Sequence, residues 1–557
     1  MLVPLFALRG KDDLGCGDTG ALREFIEWAA EHGFGLVQLL PVNETGADNS
    51  PYNAISSVAI EPTTIHFATL PDLQPAEIEA VGEHHHQRNL RDGPVKWPAV
   101  KALKRDLLRR AFVNFCDGPW EKGEARAQEF ADFVKAESAW LDGYALFRVL
   151  MDLHGDERWE EWPHPVRTFT GARDWLDHRR DDLRGKLTRE IRFFQYIQWI
   201  AFSQWRGVKA FADARGVKLM GDVPFGVNYY SADVWAQPEL FNLRWSGGAP
   251  PEPAFKDDAF IQKWGQNWGV PLYDWQRHRT AGFAWWRQRA RKIGDAFHIF
   301  RIDHVLGFYR IYGFPWRPGR NAEFLPLTLD EARNRAGGEL PRFHERPDDT
   351  TENCTANRAQ GDELLGVLQT EVGAGALVGE DLGTVPDYVR PSLLALGIPG
   401  FKVPLWEAEA DASLTPGDRY PRCSVATFAT HDHDPLPVTW EKWMSAIRIA
   451  LDEPVRFAEE RDVAWREARR LAAWAGFDVP RIMPFEEVHE RLLEGLFRSE
   501  SWLAVVMITD LLGTAQRFNV PGSVADGNWS VRMPEAWQGA FREKVWRIAR
   551  LLRTTGR

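Results

Sequence analysis

Three short acidic motifs stand far apart in this chain: Phe300-Arg301-Ile302-Asp303-His304, Gly379-Glu380-Asp381-Leu382-Gly383 and Thr430-His431-Asp432. Apolar, strand-like stretches precede them, over 297–302, 376–378 and 425–429. Carboxylates at the C-terminal ends of strands are where β/α barrels keep their chemistry. Two facing carboxylates are the minimum set for cutting and remaking a glycosidic bond. Arg301 lies two residues before Asp303, so on a strand both point to one side and the guanidinium can hold Asp303 ionised. Such a carboxylate is a usable nucleophile toward an anomeric carbon. Glu380 follows Ala376-Leu377-Val378, and apolar surroundings raise a carboxyl pKa toward that of a proton donor. Asp432 would oppose developing positive charge and bond ring hydroxyls.

Each motif also fits a structural role. Arg301–Asp303 reads equally as a buried pair holding a barrel together. Glu380 reads as an acidic group near the N-terminus of a helix expected around Pro386. His431-Asp432 reads as a pair closing a strand end. His433 and Asp434 bring a metal site to mind, but no ligand spacing supports one. His84-His85-His86 reads as solvated surface. The chain has neither a Gly-x-x-x-x-Gly-Lys phosphate loop nor a Gly-x-Ser-x-Gly elbow.

The elements that must position these groups alternate. The spacing predicts a helix over 18–31 begun by Asp18 or Thr19, ended by Gly33 and Gly35, and followed by a strand over 36–42. Helix–strand units follow at 193–215 with 217–223, at 283–293 with the Asp303 strand, and at 364–372 with the Glu380 strand. Further strands are expected over 400–405, 425–430 and 503–508. Repeated units with buried apolar strands indicate a parallel sheet. Their number, with acids at several strand ends, favours a closed (β/α)8 TIM barrel with large, mainly helical insertions over an open sheet. The insertions are expected over 63–187 (helices 100–115, 125–135 and 139–153), 313–361 (a long loop or small insertion) and 434–500 (helical). The whole chain 1–557 then forms one catalytic domain.

Composition narrows the function. The chain has 557 residues, 44% of them apolar, with 68 basic and 79 acidic residues and a formal net charge of -11. That balance argues against nucleic acid or an anionic membrane as partner and favours a neutral ligand. The four cysteines form no Cys-x-x-Cys pair, which points to a reducing compartment without disulfides or a zinc ribbon. With no signal-like start and no membrane-length apolar run, the expectation is a soluble cytoplasmic protein. The 26 Trp read first as core, although Trp also stacks on sugar faces.

Further motifs accompany the acidic ones: Ser50-Pro51-Tyr52, Trp140-Leu141-Asp142-Gly143-Tyr144-Ala145-Leu146-Phe147, Gly221-Asp222-Val223-Pro224, Ser231-Ala232-Asp233-Val234-Trp235, Gln266-Asn267-Trp268-Gly269-Val270-Pro271-Leu272-Tyr273, Asn519-Val520-Pro521-Gly522 and Asn528-Trp529. In this order, through nearly the whole chain, they resemble the 4-α-glucanotransferases, the amylomaltase or disproportionating-enzyme group. The resemblance implies Asp303 as nucleophile, Glu380 as general acid then base, and Asp432 as transition-state stabiliser. It implies Arg301 and His431 as supports for sugar and carboxylates, and Tyr52, Asp222, Gln266, Trp268 and Asp381 as sugar-lining residues. It implies α-1,4-glucans and maltooligosaccharides as partners, and no metal or organic cofactor. Three departures bear on the acceptor: Tyr230 replaces an Asp usual before Ser-Ala-Asp-Val-Trp, His433 and Pro435 alter a usual His-Asp-Asn-Asp-Thr run, and His304-Val305-Leu306-Gly307-Phe308 looks more like the plant cytosolic branch. Two rivals share these residues: an α-glucan hydrolase on the same barrel, and a non-catalytic glucan-binding protein.

Overall fold

The computed structural model describes residues 1–252, 258–452, 456–521 and 527–557. In chain order its strands are β1 (Leu36–Gln38), β2 (Lys218–Val223), β3 (Phe241–Ala249), β4 (Gln266–Tyr273), β5 (Ile299–Ile302), β6 (Ile311–Phe314), β7 (Arg342–His344), β8 (Leu377–Gly379), β9 (Gly400–Lys402), β10 (Ser424–Ala426) and β11 (Leu503–Ala504).

β1, β2, β5 and β8 pair side by side in parallel, and β9, β10 and β11 form a second parallel set. The Gly379 N–H donates to the Pro399 carbonyl (2.9 Å) and joins the two sets. On the far side Leu2 bridges in parallel to both Gln38 and Met507. The first residues of the chain thus take the eighth place, and the ring closes as the expected (β/α)8 barrel. β5, β8 and β10 are buried throughout, as befits parallel strands covered on both faces. β10 stops short of its apolar run, because residues 427–429 leave the ladder on the way to the mouth.

The helices that set this register start where the sequence places caps. Asp18 accepts from the Gly20 and Ala21 N–H groups and begins the helix Thr19–Glu31. Helix Asp182–Asp213 ends near Gly216, whose positive φ (69°) reverses the chain into β2. Helices Ala284–Ala296 and Thr351–Val372 lead to β5 and β8.

Between residues 63 and 187 lie helices Pro75–His84, Trp97–Phe115, Ala125–His154 and Phe169–Asp177. The two helices expected over 125–153 are one, since no residue between them breaks the turn. Residues 313–361 hold short helices, β7 and the first half of Thr351–Val372, around a small core of Trp264, Phe314, Trp316, Phe324 and Ala332. Helices Leu436–Asp452, Ala458–Trp474 and Phe485–Phe497 occupy 434–500. In the His84-His85-His86 run, His85 pairs with Asp106 at 2.7 Å.

The antiparallel sheet β4-β3-β6-β7 has no counterpart among the elements expected from the sequence. Its alternation is broken by register shifts between Asn242 and Ser246 and between Gly247 and Gly248, where bulges erase the period of two. Gly248 is required there: a Cβ would lie 1.8 Å from the Gln266 carbonyl oxygen. Among the described residues, no helix is long and apolar enough to cross a membrane.

Candidate active site

Arg301, buried on β5, organises the mouth. Its Nη1 donates to both Asp222 oxygens (2.8 and 2.7 Å) and lies 3.0 Å from Asp303 Oδ1. Its Nη2 lies 4.0 Å from Glu380 Oε2. β2, β5 and β8 are adjacent, so three successive strand ends deliver these acids around one guanidinium. The Asp303 side chain keeps 30% of its surface exposed and Glu380 13%, whereas that of Asp222 is sealed.

The two mouth acids are pushed to different values. Burial raises Asp303 to about 6; Arg301 pulls against this, while Asp222 and Asp432 add to it. Burial raises Glu380 further, to about 8, with Arg301 opposing and Asp303 adding. The His304 N–H donates to Glu380 Oε2 (2.8 Å). His304 reaches that place in the left-handed region (φ 49°), which a non-glycine residue adopts at a cost. Near neutrality Asp303 is mainly ionised and Glu380 mainly protonated.

Asp432 comes from the loop after β10. Burial works to raise its carboxyl, but His431, the Asn519 amide and Arg301 outweigh this and hold it low. Asn519 Nδ2 donates to Asp432 Oδ1 (2.6 Å), and Arg517 donates to the Asp432 carbonyl. His431 lies 3.3 Å from Asp432 and is kept neutral near pH 7 by its own burial. The persistent supports are therefore Asn519 and Arg301.

Tyr52 stacks on His431 (centroids 5.0 Å apart, 9° between planes), and its hydroxyl donates to Asp222 (2.6 Å). On another wall Trp268, from β4, is 39% exposed and meets the His304 ring edge-on at 4.8 Å. Its indole N–H donates to Gln266 Oε1 (3.3 Å). These residues gather with the three acids.

Two expected sugar-lining residues do not face the mouth. Asp222 sits under Arg301 and Tyr52, both oxygens occupied. Asp381 accepts from the Phe401 N–H (2.6 Å) and Arg390 (3.1 Å) and is 2% exposed. Being next in sequence to Glu380, it points the other way, into the wall at β9. Sequence reasoning gave no role to Arg517, Asn519 or the His304 N–H. Asn519 was visible as part of a motif, whose Gly522 lies outside the described residues. A backbone donor has no side-chain signature. Among the described residues, no group of three or more His, Cys, Asp or Glu is placed to hold a metal ion.

A closed β/α barrel with one ionised and one protonated carboxyl at neighbouring strand ends is the layout of an enzyme acting on glycosidic bonds. The 4-alpha-glucanotransferase model of glycoside hydrolase family 77 matches residues 3–537. A 4-alpha-glucanotransferase of Thermus thermophilus is 30% identical over 531 residues, 92% of this chain and 90% of the relative. One of Chlamydia caviae is 28% identical over 543 residues, 95% of this chain and 89% of the relative. The structure of amylomaltase from Streptococcus agalactiae, solved with acarbose, superposes with a TM-score of 0.75 at 22% identity, covering 100% of this chain and 99% of that one. The chain belongs to the 4-alpha-glucanotransferase family and is an enzyme.

Proposed function

We propose that this enzyme is a retaining 4-α-glucanotransferase that moves α-1,4-glucan segments from a donor glucan to the 4-hydroxyl of glucose, a maltooligosaccharide or a polysaccharide. Asp303 attacks the anomeric carbon while Glu380 gives its proton to the leaving glycosidic oxygen; a glucosyl ester on Asp303 forms as the old bond breaks. Glu380, now a carboxylate, takes the proton of the incoming 4-hydroxyl, whose oxygen displaces Asp303. Two inversions leave the α configuration intact. Asp432 opposes the positive charge at the anomeric centre.

The observation that carries this reading is the division of labour around Arg301: two acids within 4.0 Å of one guanidinium, pushed to about 6 and about 8. Separated values of this kind assign the nucleophile and the proton donor. All four cysteines are unpaired, which suits the reducing, cytoplasmic setting of the reading. Incubation with maltotriose tests it. Glucose together with chains longer than the substrate, at constant reducing ends, is expected. Rising reducing ends without longer chains would make the enzyme a hydrolase.

A further inference from the structure

A cleft away from the mouth has a volume of about 710 Å³, within the range of about 300–1,000 Å³ typical of ligand sites. It lies between the helix Asp182–Asp213 and the five-residue π-turn Cys116–Trp120 that ends Trp97–Phe115. π-turns of this kind recur at functional sites. Arg189 and Arg192 stand on one wall, Asp117 and Glu121 on the other, and Trp120 lies between them. The Cys116 thiol, raised by burial, senses Arg189, Asp117 and Arg192 together, so both walls bear on one point. Arg192 lies over the Trp120 ring at 5.3 Å. Yet among the described residues neither arginine pairs with a carboxylate, and neither acid pairs with a base.

A third arginine on the helix wall, Arg184, is drawn toward Asp177 (3.7 Å); Arg189 and Arg192 then face Asp117 and Glu121 in balance across the open cleft, which selects against a charged ligand of either sign. Both kinds of group bond hydroxyls, the guanidinium as donor and the carboxylate as acceptor. The half-buried Trp120 indole, beneath Arg192, adds apolar surface to the cleft against which a sugar ring can pack. The position matters as well. At a rise of about 1.5 Å per residue, Arg192 stands roughly 30 Å from the Asp213 end of its helix, whereas β2, running back alongside, spans only about 17 Å. The cleft therefore stands beyond the barrel on the side to which the strand ends, and the mouth, point.

We infer that this cleft is a second, non-catalytic binding site for a neutral α-glucan chain, used to hold polymeric substrate. The choice of α-glucan among neutral polyols rests on the function proposed above. Native gels containing glycogen test it, using the full-length enzyme, Trp120→Ala and the surface variant Arg192→Gln. Retardation of the parent and its weakening by about fivefold in both variants are expected, with maltotriose transfer within about twofold of the parent. Unchanged retardation in Arg192→Gln overturns the inference even where Trp120→Ala fails to fold. Stronger retardation by dextran sulfate than by glycogen, abolished in Arg192→Gln, overturns the neutral ligand. If the parent transfers nothing from maltotriose, the proposed activity fails by itself, separately from the gel result.

Discussion

At the scale of residues, Arg301 balances the mouth: without it Asp222, Asp303 and Glu380 would face one another with no cation at contact distance. Arg301→Gln leaves a buried Asp222 charge uncompensated, and a loss of about 3–5 kcal/mol is expected in a denaturant titration. The pH dependence follows from the same contacts. Asp303 must be ionised to attack, so kcat/KM rises as pH passes about 6. Glu380 must be protonated to donate, so kcat/KM falls as pH passes about 8. The predicted profile is a bell with those two limbs, and in Arg301→Gln both limbs move upward, because Arg301 lowers both groups. Asp432→Asn is expected to cost about 10²–10³ in kcat with a smaller change in KM, since its charge acts mainly at the transition state.

At the scale of elements, the antiparallel sheet carries Gln266 and Trp268 to the mouth on β4. Gly248→Ala would drive a Cβ into the Gln266 carbonyl and displace that strand. Its expected signature is a raised KM for maltotriose with the barrel's cooperative melting retained. Asp510, fully buried after β11, accepts from the Leu436 N–H (2.6 Å) and so anchors the helix that follows the Asp432 loop. Burial raises it to about 7, above an unfolded value of about 3.9. The fold therefore holds a proton that the unfolded chain releases, and this contribution is lost as pH rises from about 4 through about 7. Melting temperature should fall over that window, and fall less in Asp510→Asn. The barrel was legible because its strands are continuous apolar runs followed by acids, and its helices have caps such as Asp18. The second sheet was not, because its bulges and Gly247-Gly248 remove the strand period. Asp222 and Asp381 show a related limit: a motif marks an acid, but only packing says whether its oxygens face a cavity or a neighbouring N–H.

At the scale of the whole molecule, the segments inserted between barrel elements are tied to one another. Arg317 pairs with Glu160 (2.8 Å), lies 3.7 Å above the Tyr229 ring, and donates to the hydroxyl of Tyr230 (3.3 Å). Tyr229 stacks in turn on Trp159, with 7° between the planes. Tyr230, one of the departures in sequence, is thus part of a clasp between the helical insertion and the 313–361 region. Arg317→Ala should speed limited proteolysis within 313–361 while leaving the pH limbs of catalysis in place. The central claim, that a sugar is held on Asp303 between two displacements, is tested most directly by mass spectrometry of Glu380→Gln after reaction with α-maltotriosyl fluoride, whose leaving group needs no acid. A glycosyl adduct on the peptide containing Asp303 is expected; an adduct on Asp432 instead, or continued transfer by Asp303→Asn at the parent's rate, would rule out a sugar held on Asp303.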